Sequence, residues 1–382
     1  MIARQSCSKL IPRFIAFSNQ KHQFSLSASK MSDEVILEKI KNIGVITLNR
    51  PKQLNALNLP MARQIYKQMK IWETDSSISF ILIQNGKGSN AFCAGGDIKA
   101  IREHAISGET KNALEFFNEE YILNYSISVC KKPYVALING ITMGGGVGLS
   151  IHGKYRVATD KTLFAMPETA IGFFPDIGAA FPLSRLEGRL GIYLALTGAR
   201  LRGKEVFDTG IATHYINSSN VEELKQQLQM INKAEDVEDV LSKFSTQPPS
   251  KYQLDKINET FGGDSIEKII ENLVNDKSEW STKQLSLLGK MSPTSLKVTL
   301  EQFKQASTQT LKQVLELDYQ LCQRFIKEND FPEGVRALLI DKDNKPNWIP
   351  NKAEKVSKDK VDWYFTPLDT DFKLNLESKS KL

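Results

Sequence analysis

The sequence has little cysteine, no long apolar run and almost no charge imbalance in its body, and each shortage excludes a class of protein. Four cysteines in 382 residues, Cys7, Cys93, Cys130 and Cys322, stand far apart. They show none of the paired spacing of a zinc site or a disulfide framework, and read as small buried groups in a reducing compartment. The four histidines, His22, His104, His152 and His214, are equally scattered, so a Cys-His or Ser-His-Asp hydrolase finds no support in the spacing. No stretch approaches the roughly 18 uninterrupted apolar residues of a membrane-spanning helix, and no membrane partner is expected. The net charge of +6 is concentrated at one end: residues 1–30 carry Arg4, Lys9, Arg13, Lys21 and Lys30 and no acid, leaving 45 basic against 44 acidic residues beyond. A body that close to neutral offers no electrostatic footprint for nucleic acid.

What is present begins with that first segment. It holds six serines and an apolar stripe at Leu10, Ile11, Phe14, Ile15 and Phe17. Basic, serine-rich, acid-free and amphipathic is the composition of a mitochondrial transit peptide, against which a structureless tail is the plainer alternative. The chain closes on Ser380-Lys381-Leu382, a peroxisomal address where a receptor can reach it, or a charged tail that ends in leucine by chance. Met31, just after the basic segment, would begin a form with only the C-terminal signal.

Between these ends the hydrophobic period alternates. Gly44–Asn49, Ser79–Asn85, Tyr134–Asn139 and Tyr155–Thr159 read as buried strands; Leu57–Trp72, Ile98–Arg102, Asn112–Val129 and Gly145–His152 read as helices. Short strands interleaved with helices predict a mixed α/β body. Beyond about Val221 the chain turns polar and rich in Lys and Glu, and Ser265–Val274, Ser278–Lys290 and Ser292–Lys327 carry helical spacing, the last broken near Ser307. Leu311, Val314, Leu315, Cys322 and Phe325 form a core-facing stripe. Asn232–Gly263 has the least pattern of the body and reads as an insertion or a loop.

Two glycine clusters stand out, Phe92-Cys93-Ala94-Gly95-Gly96-Asp97 and Ile141-Thr142-Met143-Gly144-Gly145-Gly146-Val147-Gly148, each after an apolar run and before a helix-compatible segment. Bare backbone at a helix start presents N–H groups to a ligand, and two such turns can grip one developing oxyanion, although either alone reads as a tight turn. With Met166-Pro167-Glu168 and Phe174-Pro175-Asp176, the set resembles the crotonase (enoyl-CoA hydratase/isomerase) superfamily from about Gly44 to about Trp348. The resemblance implies an α/β fold, a spiral of repeated ββα turns with a helical C-terminal region. It divides the chain into a presequence (1–30), an acyl-CoA-binding core (31–225) and a helical part (226–382), with Phe331–Lys342 as the closing helix over the site.

The same resemblance implies roles. Gly96 and Gly145 supply the oxyanion N–H groups, Asp97 positions that turn or meets the CoA side, and Ala94 and Ile98 line the adenine. A hydratase of the superfamily needs one glutamate shortly after the glycine triplet and a second in a Pro-Glu step. Gly148 occupies the first of these positions, Glu168 keeps the second, and Asp176 adds a carboxylate. Glu168 with Asp176 is the pair of the family's thioester-hydrolase branch, and Glu120 matches the position that binds a substrate hydroxyl, where a solvated helix glutamate is the bland alternative. The expectation is hydrolysis of a short 3-hydroxyacyl-CoA, 3-hydroxyisobutyryl-CoA or 3-hydroxypropionyl-CoA, with a hydratase or isomerase, or a non-catalytic CoA-binding protein, as alternatives. The partner is the small-molecule acyl-CoA, a homo-oligomer fits the family, and no metal or redox cofactor is implied.

Overall fold

Ile43-Gly44-Val45-Ile46-Thr47-Leu48 is buried at every position, as a strand covered on both faces must be. Gly44 within it is required: a Cβ there would lie 2.5 Å from the indole of Trp72. The computed structural model describes residues 34–245, 248–368 and 372–376; the basic N-terminal segment with Cys7, His22 and Met31, and Ser380-Lys381-Leu382, lie outside the described residues.

The strands in chain order are β1 (Val35–Ile40), β2 (Ile43–Leu48), β3 (Phe80–Asn85), β4 (Ala91–Cys93), β5 (Tyr134–Ile138), β6 (Ile141–Met143), β7 (Tyr155–Thr159), β8 (Leu163–Ala165), β9 (Leu201–Arg202) and β10 (His214–Ile216). Among the described residues they form two sheets, ordered β1-β2-β3-β5-β7-β10 and β4-β6-β8-β9. The larger is parallel except for the β1-β2 hairpin; the smaller is parallel over β4-β6-β8 and antiparallel at β9. From β3 to β8 successive strands alternate between the sheets, and with α1 (Leu59–Thr74), α2 (Ile98–Ile106), α3 (Thr110–Ser128) and α4 (Gly145–Ile151) they make the expected spiral of ββα turns. α1 shows how locally this is encoded. The Asn58 side chain accepts the Met61 N–H at 2.9 Å, and Met61, Ala62, Ile65, Tyr66, Met69 and Trp72 form its buried stripe.

After β10 the described chain is helical. Pro293–Ala306 and Leu311–Phe325 are two helices separated near Ser307, the second opened by a Thr310/Gln313 capping box. The unpatterned stretch 232–263 is corrected: it contains helices Asp236–Phe244 and Asp255–Thr260. Val237, Val240 and Leu241 recur on one face and pack in the cluster under Val45, Phe80 and Val135, and three acidic residues in the first turn favour the helix dipole. Packing inside so short a helix outweighs its weak periodicity. The closing segment is a helix over Asp330–Val335 continued by a π-helical turn over Arg336–Ile340. It meets the core through an aromatic contact, Phe173 lying 5.2 Å from Phe331, centroid to centroid.

Candidate active site

Parallel pairing of β4, β6 and β8 brings the segments that follow them to one edge of the smaller sheet, the place where open parallel sheets bind ligands. Those segments are Ala94-Gly95-Gly96-Asp97, Gly144-Gly145-Gly146 and Met166-Pro167-Glu168. The two glycine turns touch: a Cβ on Gly145 would lie 3.2 Å from Gly96 N and overlap Glu120 Oε1, and one on Gly146 would overlap the Cys93 carbonyl. Gly144 itself takes φ +45°, a region closed to most side chains.

The hydrogen bonding leaves two N–H groups to face inward. Leu57 bridges Gly96 in a parallel pattern, its N–H donating to Gly95 O and its carbonyl accepting Asp97 N–H, both at 2.8 Å. Such a bridge uses the residues on either side of Gly96 and not the Gly96 N–H. Gly145 is the first residue of α4, where an N–H has no carbonyl a turn earlier. Asp97 buttresses the first turn: its carboxylate accepts from Arg50 Nη1 at 3.0 Å, and the same guanidinium donates to Ala56 O.

A cavity of about 260 Å³ opens against this edge. Ala94, Gly96, Ile98, Glu120, Gly145, Glu168 and Asp176 all line it, with Phe117 and Phe173 on one wall and Leu338 and Leu339 from the closing segment above. Asp97 is not among the lining residues. Ala94 and Ile98, expected beside an adenine, share the cavity that holds the carboxylates. A larger groove of about 610 Å³ elsewhere is lined by Lys87, Lys161 and Arg202; its carboxylates, Asp160 and Glu222, are solvent-exposed, so nothing there desolvates a reacting group.

In the smaller cavity desolvation dominates. Glu120, Glu168 and Asp176 are 2%, 6% and 6% exposed. Burial pushes the Glu168 carboxyl well above the usual carboxylate range, and the nearby Asp176 charge pushes the same way. Glu120 is raised by burial first and then by Asp176 and Glu168. Asp176 rises less, to about 7, because the Tyr121 hydroxyl donates to its Oδ2 at 2.8 Å and favours the ionised form against the effect of burial. Glu120 Oε1 and Glu168 Oε2 have no hydrogen-bond partner in the protein. Buried oxygens of that kind are stable only when something else satisfies them.

The glycine that replaces the hydratase glutamate is sterically closed. A Cβ at Gly148 would sit 2.7 Å from Asn124 Nδ2 and 3.1 Å from Ile177 Cβ, so a glutamate would meet α3 before it reached the cavity.

A sequence profile of the enoyl-CoA hydratase/isomerase family matches residues 43–365. The chain belongs to this family. Among its relatives, the 3-hydroxyisobutyryl-CoA hydrolase, mitochondrial, of Xenopus laevis is 51% identical over 350 residues, covering 89% of this chain and 90% of that one. The human protein of that name is 48% identical, over 94% and 96% of the two chains. A carnitinyl-CoA dehydratase from Mycobacterium thermoresistibile has the same fold, with a TM-score of 0.85, 35% identity and coverage of 91% of this chain and 100% of that one. An enoyl-CoA hydratase from Rhodobacter sphaeroides 2.4.1 gives 0.80 and 31%, covering 88% and 98%.

Within this member of the enoyl-CoA hydratase/isomerase family the structure adds residues that sequence reasoning missed. Tyr121 holds Asp176, yet in sequence it is one aromatic beside Glu120. Asp318 is completely buried and bonded to the turn that carries Asp176. A signal existed for it: a carboxylate in the same helical stripe as Val314, Leu315, Cys322 and Phe325 is out of place on a packing face.

Proposed function

We propose that this chain hydrolyses the thioester of 3-hydroxyisobutyryl-CoA to 3-hydroxyisobutyrate and free CoA, a step in valine breakdown. The observation that carries the reading is the single buried cavity where two glycine turns face Glu168 and Asp176 while the slot at Gly148 is filled by Asn124 and Ile177. Relatives named for this hydrolysis are about half identical over nearly the whole chain.

In this reading the Gly96 and Gly145 N–H groups take the thioester oxygen as it becomes an oxyanion, where loss of one donor typically costs about 10²–10³ in turnover. Glu120 Oε1, unpartnered in the protein, accepts from the substrate hydroxyl. The Glu168 carboxylate attacks the carbonyl carbon, the C–S bond breaks, and the CoA thiolate takes the proton held by Asp176. Water then attacks the mixed anhydride, Asp176 receives its proton, and the hydroxy acid leaves with Glu168 restored. CoA enters and leaves as part of substrate and product, so no added cofactor takes part. 3-Hydroxypropionyl-CoA lacks one methyl group, a difference of about 1–3 kcal/mol in an apolar pocket, and is a second substrate of the same site.

The test is direct. Purified residues 31–382 are incubated with 3-hydroxyisobutyryl-CoA and with crotonyl-CoA; free thiol is expected from the first and no loss of enoyl absorbance from the second. Enoyl loss without thiol would replace the reading with a hydratase, and silence with both would leave a CoA-binding protein.

The basic segment and the relatives' printed names support a mitochondrial address. Starting the chain at Met31 with a free C-terminus is expected to remove mitochondrial protein in fractionated cells. A peroxisomal signal would then support Ser380-Lys381-Leu382 as a second address, and unchanged mitochondrial protein would remove the presequence reading.

A further inference from the structure

Asp176 is carried by a loop and not by a strand or helix, and the backbone just beyond it is strained. Ile177 takes φ +57° and Gly178 φ +72°. A β-branched residue in the left-handed region persists only where its surroundings impose that conformation. Side chains from three distant helices impose it. His152 Nε2–H, from the C-terminal end of α4, donates to the Ile177 carbonyl at 2.7 Å; burial lowers this imidazole to about 4, so it remains a neutral donor. Asp318 Oδ2 accepts the Gly178 N–H at 2.8 Å. Its Oδ1 accepts from Gln302 Nε2 at 2.7 Å, and the same amide donates to the Pro175 carbonyl at 3.0 Å. The backbone is thus gripped on both sides of Asp176, from the core by His152 and from the helices Pro293–Ala306 and Leu311–Phe325 by Gln302 and Asp318.

The choice of Asp at 318 is informative. It is fully buried, and its oxygens meet a peptide N–H and an amide, with no ion pair to it among the described residues. An apolar residue of similar volume would pack on that face without desolvating a carboxyl group. Asp176 Oδ2 is in turn the acceptor for Tyr121, so a shift of the turn would break the contact that favours its charge.

We propose that Asp318, with Gln302 as its partner, is a positioning residue for the hydrolysis: it fixes the strained 175–178 turn so that the Asp176 carboxylate faces the acyl cavity, and the helical C-terminal region thereby completes the active site. The proposal rests on the hydrolase reading in assigning Asp176 a part in turnover. In its geometry it stands on the contacts alone.

The experiment combines kinetics with a structure. Asp318→Ala, Asp318→Asn and Gln302→Met are prepared in the full chain, the last two to conserve volume, and rates with 3-hydroxyisobutyryl-CoA are taken per folded molecule. Asp318→Ala is expected to lower kcat by about 10²-fold, the effect of an ångström-scale misplacement at a reacting centre, with KM within about threefold because Gly96, Gly145 and Glu120 keep their places. Asp318→Asn retains an acceptor for Gly178 N–H and falls between Ala and wild type. A crystal structure of Asp318→Ala or Gln302→Met is expected to show Ile177 relaxed from its left-handed conformation and the Tyr121–Asp176 contact lengthened. Folded variants with wild-type kcat, or with KM raised and kcat intact, would overturn the proposal, as would an unchanged 175–178 turn in the crystal. Should the wild-type chain release no thiol, the functional reading fails, and the crystal structures alone decide whether Asp318 sets the turn.

Discussion

Replacing Glu168 with glutamine is expected to lower thiol release from 3-hydroxyisobutyryl-CoA by about 10⁴-fold or more, with KM little changed. The substitution keeps the size of the side chain and removes its capacity to attack; loss of a nucleophile exceeds the roughly 10²–10⁴ of a general base alone. Turnover in ¹⁸O water should place label in the Glu168 carboxylate, read by mass spectrometry of its peptide, because water that opens the anhydride at the enzyme's carbonyl leaves its oxygen there. Label confined to the free hydroxy acid would mean that water attacks the substrate's acyl carbon, in the anhydride or in the thioester itself, and trapping of an acyl group on Glu168 would then separate the two. The pH dependence follows from the same pair. Burial raises both carboxyls, Glu168 well above the usual carboxylate range and Asp176 to about 7, so near neutral pH the pair shares one proton. Attack requires it to pass to Asp176, from which the departing thiolate collects it. Below about 7 the pair holds two protons and no carboxylate is free. The rate should therefore rise with pH through about 7 and fall only where the last shared proton is lost, and both limbs belong to the pair.

Much of this arrangement was legible because it is written locally. The buried strand at 43–48 is apolar but for Thr47, the glycine clusters announce backbone turns, and Gly148 in place of a carboxylate marks the departure from hydratase chemistry in the sequence itself. What the sequence concealed depends on residues brought together from afar. The hydrogen bond from Gly178 to Asp318 spans 140 positions, and no local period relates them. Tyr121 was hidden because its function depends on which face of α3 meets the 173–178 loop. His152 looked like one of four scattered histidines until Ile177 placed a carbonyl 2.7 Å from it. Asp97 was read as positioning the oxyanion turn or meeting the CoA side, but its partner Arg50 was not legible, another pairing set by tertiary packing. The weakly patterned stretch after residue 232 failed for a different reason: nine residues of helix, Asp236–Phe244, give too few turns for a period to emerge, although three apolar side chains suffice to dock it.

Asp176→Asn should make the protein more stable as it destroys its activity. The Asp176 carboxyl is raised from 3.8 to about 7, with burial as the first cause, which means the fold favours the protonated form. For a carboxylate shifted upward, the favourable contribution is fully present below the unfolded value and is lost as pH rises toward the folded one. A shift of that size corresponds to about 4 kcal/mol of folding free energy lost by the time the group has ionised. Asparagine never ionises, keeps an acceptor for the Tyr121 hydroxyl and fills the same volume. The melting temperature of the variant should therefore exceed that of wild type by several degrees at pH 8, and the gap should close progressively toward pH 4, since about 1 kcal/mol moves a domain of this size by a few degrees. Glu120, Glu168 and Asp318 are shifted upward as well, so wild-type stability itself should decline across that window. A melting difference independent of pH would mean that Asp176 is solvated, and with it would go the desolvated carboxylate pair on which the thioester chemistry depends. The expected opposite result, a more stable and inactive enzyme, is the signature of a charge held in place against the preference of the fold for the sake of catalysis.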